Sequence, residues 1–248
     1  MPQTAGNRSL KTGDWMEPIK YLFFDCMETI VDLYELPSEN DYAYWAYHQS
    51  GVERYWQHFD DFLARYNHTK QQMKDRLAVH QEYEMKQRIE LLVSGTESII
   101  HNKQEVTDRL YNHYWETYKS QCFVKPDVKE VILQLKGRYR LAVVSNFMVE
   151  NGIEQLLKDN GLSSHFEFIV TSINCGWRKP GDSIYRYAMS KAQCQANEIL
   201  FIGDDYDNDY VAPRKHGMNA IWLDKLGVAK DGIDAVHHFS KLAGRLLP

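Results

Sequence analysis

Short apolar runs alternate with amphipathic segments along much of the chain, and this alternation restricts its fold more than any other feature. Tyr21–Phe24, 141–144 and 199–202 are runs of the kind that form buried strands of a parallel sheet. Further strands are expected at 166–170 and 220–223, with helical segments between them. The pattern predicts an α/β fold with a doubly wound, Rossmann-like parallel sheet.

Polar motifs accompany these apolar runs. Residues 25–29 (Asp-Cys-Met-Glu-Thr), 145–146 (Ser-Asn) and 203–209 (Gly-Asp-Asp-Tyr-Asp-Asn-Asp) each follow a run, and Lys179 precedes a proline between the second and third. Ligands of open α/β sheets bind at the edge where the strands end. A carboxylate, a hydroxyl, an amine and an acidic cluster are suited to attack on phosphorus or carbon beside a metal ion.

The order of these motifs resembles that of the haloacid dehalogenase-like hydrolase superfamily. Most members of that superfamily are Mg²⁺-dependent phosphatases that work through an aspartyl-phosphate. All four family motifs are matched, most closely between residues 145 and 223. The resemblance implies a helical cap inserted between the first and second motifs, and a small phosphorylated molecule as the substrate.

The resemblance also implies a catalytic role for several side chains. Asp25 would be the nucleophile, and Thr29 would hold its loop or contact a phosphoryl oxygen. Ser145 and the backbone amide of Asn146 would donate hydrogen bonds to the phosphoryl group of the substrate. Lys179 would supply positive charge where negative charge accumulates.

A magnesium site is expected at the same edge of the sheet. The resemblance assigns Asp25, the backbone carbonyl of Met27 and Asp204 as ligands, and Asp209 as the group that orients Lys179 or a metal-bound water. Asp205 either supports the ligands or lies at the start of the next helix. Carboxylates crowded into residues 204–209 repel one another unless a cation or a lysine compensates their charge. Hard oxygen ligands of this kind suit Mg²⁺.

Met27 departs from the family pattern, because phosphatases of the superfamily usually carry a second aspartate two residues after the nucleophile. That aspartate protonates the leaving group, and such help is worth ~10² to 10⁴ in rate. Three explanations are open: a leaving group that needs no proton, an acid supplied by another residue, or a site retained for binding. Family members that cleave carbon–halogen or carbon–phosphorus bonds also lack this aspartate.

The chain divides into three regions by its pattern. Residues 1–17 form an N-terminal arm without clear periodicity, and 18–33 together with 125–248 form the core domain. Residues 34–124 lose the strand signals and form a helical cap. Within the cap we expect helices over 41–49 and 69–92. Two further helices are indicated by aromatic residues at helical spacing: the first stripe is Tyr55, Phe59, Phe62 and Tyr66, and the second is Tyr111, Tyr114, Trp115 and Tyr118.

Composition excludes several classes of partner. The net charge of −5, without a basic block, argues against nucleic acid. Apolar runs are far shorter than the ~20 residues that cross a bilayer, so no membrane partner is expected. The polar start, residues 1–14, lacks the apolar core of a signal peptide, so the expected location is cytoplasmic. Four widely spaced cysteines indicate neither a zinc site nor a disulfide framework.

The leading hypothesis is a Mg²⁺-dependent phosphatase that lacks the usual general acid. A dehalogenase is an alternative, because halide leaves without a proton. A phosphonate hydrolase is another and would need a cap lysine, with Lys70, Lys74, Lys86 and Lys103 as candidates. A catalytically weak binding or regulatory protein is the alternative outside enzymes, and a homodimer through exposed cap aromatics is left open.

Overall fold

The computed structural model describes residues 18–248, and so the arm at 1–17 lies outside the described residues. Within that range the strands are β1 Tyr21–Phe24, β2 Asp32–Leu33, β3 Cys122–Phe123, β4 Arg140–Ser145, β5 Phe168–Thr171, β6 Ile199–Gly203, β7 Asn219–Leu223 and β8 Ala235–Val236. The α-helices are α1 Glu39–Tyr47, α2 Phe59–Arg76, α3 Met85–Ser94, α4 Lys103–Gln121, α5 Pro126–Lys136, α6 Gly152–Asp159, α7 Ser172–Cys175, α8 Asp182–Ala192, α9 Ala212–Lys215 and α10 Lys241–Leu246. Short 3₁₀ turns occupy Glu53–Tyr55, Ser163–His165 and Ala196–Glu198, and a π-helical turn occupies Tyr206–Val211.

Six strands form one parallel sheet in the order β5-β4-β1-β6-β7-β8, with β1 between β4 and β6. Successive residues of β1 face opposite sides of the sheet, as the two-residue period of a strand requires. Leu22 and Phe24 therefore pack into one apolar cluster, and Tyr21 and Phe23 pack into the other. Burial on both faces explains why the strand is apolar throughout. The predicted doubly wound α/β fold is confirmed.

Helices cover both faces of this sheet. Val128 of α5 and Ile153 of α6 join the cluster that contains Leu22, and Ile184 of α8 joins the opposite cluster. Pro126 is the first residue of α5, a position that suits proline because an N–H there would have no partner in the first turn. The strands expected at 166–170 and 220–223 are present with ends shifted by one or two residues.

The chain leaves and re-enters the core at one point. β2 and β3 pair antiparallel, Asp32 with Phe123 and Leu33 with Cys122. The intervening residues form α1 to α4, whose buried side chains share one apolar cluster with the core. The division into a cap at 34–124 and a core at 18–33 and 125–248 stays a prediction.

One predicted helix in this region is wrong. A single helix was expected over 69–92 after a turn near Asn67, but Asn67 lies inside α2 and the chain is irregular at 77–84. The Glu82 N–H in this link donates to the carbonyl of Gly176 in the core at 2.9 Å. The His80 carbonyl likewise accepts from the Arg178 N–H at 2.8 Å. Part of the backbone of the link is therefore bonded to distant residues, which a local helical period cannot anticipate.

The first aromatic stripe also differs from its prediction at one end. Tyr55 lies in a 3₁₀ turn before α2, whereas Phe62 and Tyr66 are buried on that helix. The second stripe is confirmed, since α4 buries Tyr114 and Tyr118. None of the helices in residues 18–248 is long and apolar enough to span a membrane.

Candidate active site

Three neighbouring strands bring the predicted motifs together. Asp25 directly follows β1, Ser145 ends β4, and Asp204 directly follows β6. Because β1 pairs in parallel with both neighbours, the three side chains emerge at one edge of the sheet. The Asp25 N–H extends the ladder by donating to the Ile202 carbonyl at 2.9 Å. The fold thus positions these residues through strand register alone.

The carboxylate of Asp25 is fixed through one of its two oxygens. Its Oδ1 accepts a hydrogen bond from Ser145 Oγ at 2.9 Å and from Lys179 Nζ at 2.7 Å. Its Oδ2 accepts no hydrogen bond from any residue in the range 18–248. Asp25 is buried to 7% exposure. One oxygen therefore orients the group and leaves the other available for a reaction.

The Lys179 amine bridges two carboxylates. It lies 2.7 Å from Asp25 Oδ1 and 2.6 Å from Asp209 Oδ1, and the side chain is almost fully buried. Burial by itself would lower the pKa of Lys179, but the charges of Asp209 and Asp25 outweigh burial and raise it above its usual range. The amine is a fixed positive charge beside the Asp25 carboxylate.

The Asn146 side chain forms hydrogen bonds with both backbone polar groups of Lys179. Asn146 Oδ1 accepts from the Lys179 N–H at 2.7 Å, and Nδ2 donates to the Lys179 carbonyl at 3.0 Å. Sequence reasoning assigned only the backbone amide of Asn146 and missed this role. An amide side chain is the group that can donate and accept at once, but nothing local in the sequence identifies its partner.

Oxygen atoms suited to a divalent cation lie beside Asp25. Carboxylate oxygens of Asp25, Asp204 and Asp209 lie within 4.8 Å of one another. Burial and the nearby charge of Asp25 raise the pKa of Asp204 to about 6, which a cation between the two would reverse. The Met27 carbonyl accepts no backbone hydrogen bond from the described chain. The donor set is hard oxygen throughout and fits Mg²⁺.

The other acidic residues hold the loop. Asp209 Oδ1 accepts a hydrogen bond from Lys179 Nζ, and Asp209 Oδ2 accepts one from the Asp205 N–H at 3.1 Å. Asp205 Oδ1 accepts the N–H groups of Asp207 and Asn208, both at 3.0 Å, at the start of the π-helical turn. The side chain of Asp205 thus faces the loop backbone, and its backbone N–H reaches Asp209.

Two further contacts support Asp204. Thr29 Oγ1 donates to Asp204 Oδ1 at 3.1 Å, so the predicted Thr29 links the first and last motifs. Trp222 Nε1 donates to the Asp204 carbonyl at 2.7 Å. The residue before Asp204 must be glycine, because a Cβ at Gly203 would lie 2.3 Å from Asp209 Oδ2. The loop is held close to the strand that precedes it.

A cavity of about 700 Å³ lies over this site between core and helical residues. Met27, Asn146 and Phe147 line it on the core side. Residues of the link at 77–84 form part of the cavity wall. The Glu82 carboxylate in this link accepts a hydrogen bond from Ser172 Oγ in the core. Sequence reasoning missed Glu82, because its partners lie far away along the chain.

Comparison with known proteins gives a consistent result. The sequence model of a family described as haloacid dehalogenase-like hydrolase matches residues 52–223. Haloacid dehalogenase-like hydrolase domain-containing protein 3 of Bos taurus is 37% identical over 117 residues, which cover 46% of this chain and 45% of that protein. Glyceraldehyde 3-phosphate phosphatase of Methanothermobacter thermautotrophicus is 27% identical, over 44% of this chain and 51% of that protein. The chain thus matches only about half the length of these curated relatives.

Solved structures share the fold. A 2-haloacid dehalogenase from Pseudomonas syringae pv. Tomato superposes with a TM-score of 0.69 at 18% identity, covering 90% of this chain and 96% of that one. A HAD phosphatase from Thermococcus onnurineus gives a TM-score of 0.63 at 17% identity, covering 91% and 96%. At such low identity the likeness concerns architecture alone.

Proposed function

The chain belongs to the haloacid dehalogenase-like hydrolase family, and from this premise we propose that it is a phosphatase acting on a small phosphorylated molecule through Asp25. The observation that carries the proposal is the asymmetry of the Asp25 carboxylate. Ser145 and Lys179 hold Oδ1, while Oδ2 accepts no hydrogen bond from residues 18–248. Phosphatases among the sequence relatives favour phosphoryl transfer as the reaction class.

Asp25 Oδ2 attacks the substrate phosphorus, and the bond from phosphorus to the leaving oxygen breaks. The product of this step is an acyl phosphate on Asp25 and the free leaving group. Water then attacks the same phosphorus, which releases inorganic phosphate and restores the carboxylate. With the substrate bound, the Ser145 hydroxyl turns its single proton from Asp25 Oδ1 to a phosphoryl oxygen. The Asn146 N–H donates to the phosphoryl group as well, and Lys179 stabilises its charge.

Asp25, Asp204 and the Met27 carbonyl are the groups that would hold Mg²⁺. When bound, the cation offsets the repulsion between the carboxylate and the anionic phosphoryl group. Thr29 keeps Asp204 in place through its hydroxyl. Asp209 keeps the Lys179 amine directed at Asp25. Asp205 in turn holds Asp209 through its backbone N–H.

A phosphate-release screen tests the proposal. The protein is incubated with Mg²⁺ and a panel of phosphate esters, acyl phosphates and phosphonates, beside Asp25→Asn and the exposed-carboxylate control Asp231→Asn. We expect release from at least one compound, lowered by ~10³ or more in Asp25→Asn and unchanged in the control. No Asp25-dependent release from any compound would overturn the proposal.

Carbon–phosphorus hydrolysis is a second candidate, because the cavity offers the cap lysine that such chemistry requires. Lys70 and Lys74 both line it, and Lys70 is paired with Glu39. The side-chain amine of Lys74, which also lines the cavity, makes no ion pair or hydrogen bond with the described residues. Phosphate release from phosphonates alone, lost in Lys74→Gln, would select this candidate. Halide release from haloacids would select the dehalogenase instead.

A further inference from the structure

The cavity that Met27 and Asn146 line beside the candidate site is rich in basic side chains. The charged residues of its lining are Glu39, Lys70, Lys74, Arg88 and Arg178. Lysines and arginines contribute four positive charges to this lining, and Glu39 contributes the one carboxylate. Two of the cations have carboxylate partners, since Lys70 pairs with Glu39 and Arg178 pairs with Glu82. The remaining two are without one.

Arg88 is the more unusual of these two cations. Arg88 is only 3% exposed, yet no carboxylate of residues 18–248 lies within ion-pair distance of its guanidinium. Its Nη2 donates to the Tyr66 carbonyl at 2.8 Å, and its Nε is buried without an acceptor. The guanidinium stacks on the Tyr66 ring, 3.7 Å from the centroid. The ring fixes its orientation and compensates only part of its charge.

A buried charge without a counterion is costly, and proteins ordinarily pair such groups. A guanidinium presents planar pairs of N–H donors that match the oxygens of a carboxylate or a phosphate. Arg88 is held by the protein through one nitrogen only and lines an open cavity. Its missing partner is therefore an anion that enters the cavity.

The surroundings of Arg88 supply further hydrogen-bond donors. Tyr42, Tyr83, Tyr114 and Tyr118 line the cavity, and none of these phenols makes a hydrogen bond within residues 18–248. Tyr42 stacks against Tyr118, so the rings are fixed by packing. Lys74, an exposed residue of α2, adds a second cation that has no carboxylate partner in the described part of the chain. The phenol hydroxyls and the two cations can therefore donate hydrogen bonds to an anion that binds in the cavity, away from the phosphoryl-transfer site.

We propose that Arg88 binds a second anionic group of the substrate, a carboxylate or a further phosphate, while the scissile phosphate lies at Asp25. The substrate class is then a phosphate ester that carries another anion. This inference rests on the proposed function and narrows its substrate. Lys74 assists from the rim of the cavity.

Matched substrate pairs test this inference. The first pair is 3-phosphoglycerate and glycerol 3-phosphate, which differ in a carboxylate; the second is fructose 1,6-bisphosphate and fructose 6-phosphate, which differ in a phosphate. We expect the native enzyme to prefer the member with the second anion by about tenfold or more in kcat/KM in at least one pair. The pair that shows the preference identifies the kind of anion.

Variants then assign the preference to Arg88. Arg88→Gln should remove about tenfold of it through KM, with little change for the partner lacking the second anion. Arg88→Lys should retain part of the preference, and Lys74→Gln should lose about two- to fivefold. Arg109→Gln, an exposed arginine on α4, is the control and should change neither member. If circular dichroism shows that Arg88→Gln does not fold, the inference is decided by the effect of Lys74→Gln and by the ratio of kcat/KM values that the native enzyme shows within each substrate pair.

Failure of this inference differs from failure of the proposed function. Equal kcat/KM for both members of both pairs, or equal losses for both members in Arg88→Gln, would overturn the role of Arg88 and leave the phosphatase intact. If no compound releases phosphate, calorimetric binding of the same four compounds to Asp25→Asn decides. Preferential binding of the second-anion members, lost in Arg88→Gln, would support the inference, and equal binding would overturn it.

Discussion

At position 27 a thioether side chain lies where a family phosphatase would carry a carboxylic acid. Met27 lines the cavity beside Asp25, so its side chain faces the region that a leaving group would occupy. The backbone carbonyl of the same residue is free of backbone partners in the described chain. The departure therefore removes the proton donor and keeps the oxygen that a cation would use.

Met27→Asp should raise the hydrolysis of simple aryl and alkyl phosphates by ~10 to 10² if the missing acid limits the rate. Met27→Leu is the control, since it keeps an apolar side chain of similar volume and should leave the rate within about twofold. Initial rates of phosphate release at neutral pH measure both. Unchanged or lower rates in Met27→Asp would mean that another group, or the leaving group itself, makes the acid unnecessary.

At the level of elements, the link at 77–84 joins the helical residues to the core. Glu82 is fully buried, and its carboxylate accepts from Ser172 Oγ at 2.6 Å and from Arg178 Nη1 at 3.2 Å. At the end of the link, the Met85 N–H donates to the Met148 carbonyl at 2.9 Å. These contacts hold the cavity wall against the loops that carry Asn146 and Lys179.

Glu82→Gln should lower the free energy of unfolding by about 1–3 kcal/mol, because it removes a buried negative charge that Arg178 and Ser172 contact. Glu90→Gln, an exposed glutamate on α3, is the control and should change stability by no more than about 0.5 kcal/mol. Chemical denaturation of both variants measures the difference. Equal stability of the two would show that the link does not depend on this carboxylate.

At the scale of the whole molecule, the acidic residues ending β1 and β6 lie together only in the folded chain. A cation bound by Asp25 and Asp204 would bind the native state and not the unfolded one, which raises stability by mass action. Wider features stay predictions: the cap as a separate domain, the cytoplasmic location and the possible homodimer. Sedimentation of the purified protein tests the last of these.

Mg²⁺ at a hundredfold excess over its dissociation constant should stabilise the native protein by about 2.7 kcal/mol. Asp204→Asn should abolish this effect, because it removes a ligand and the charge that attracts the cation. Asp231→Asn should retain the effect in full. Thermal unfolding with and without Mg²⁺ measures the shift independently of activity. A shift of equal size in Asp204→Asn would place the cation elsewhere.

Much of the fold and of the candidate site could be predicted from local pattern. The run Tyr21–Phe24 is apolar because both faces of β1 are buried, and Asp25 follows it where the strand ends. The same reasoning located Ser145 and Asp204, because parallel strands end at one edge of the sheet. The helical prediction failed at 77–84, where the His80 carbonyl and the Glu82 N–H form hydrogen bonds with the core instead of with a helix.

The sequence by itself determined the order of five strands of the parallel sheet and the identity of the polar groups at the strand ends, because hydrophobic period and strand termination are properties of neighbouring residues. The tertiary structure alone decided which groups meet. Asn146 contacts Lys179 across 33 positions, and Glu82 contacts Ser172 across 90. Arg88 lines a cavity with no carboxylate from residues 18–248 as its counterion. Partnership and burial depend on how distant segments pack, and no local pattern records that packing.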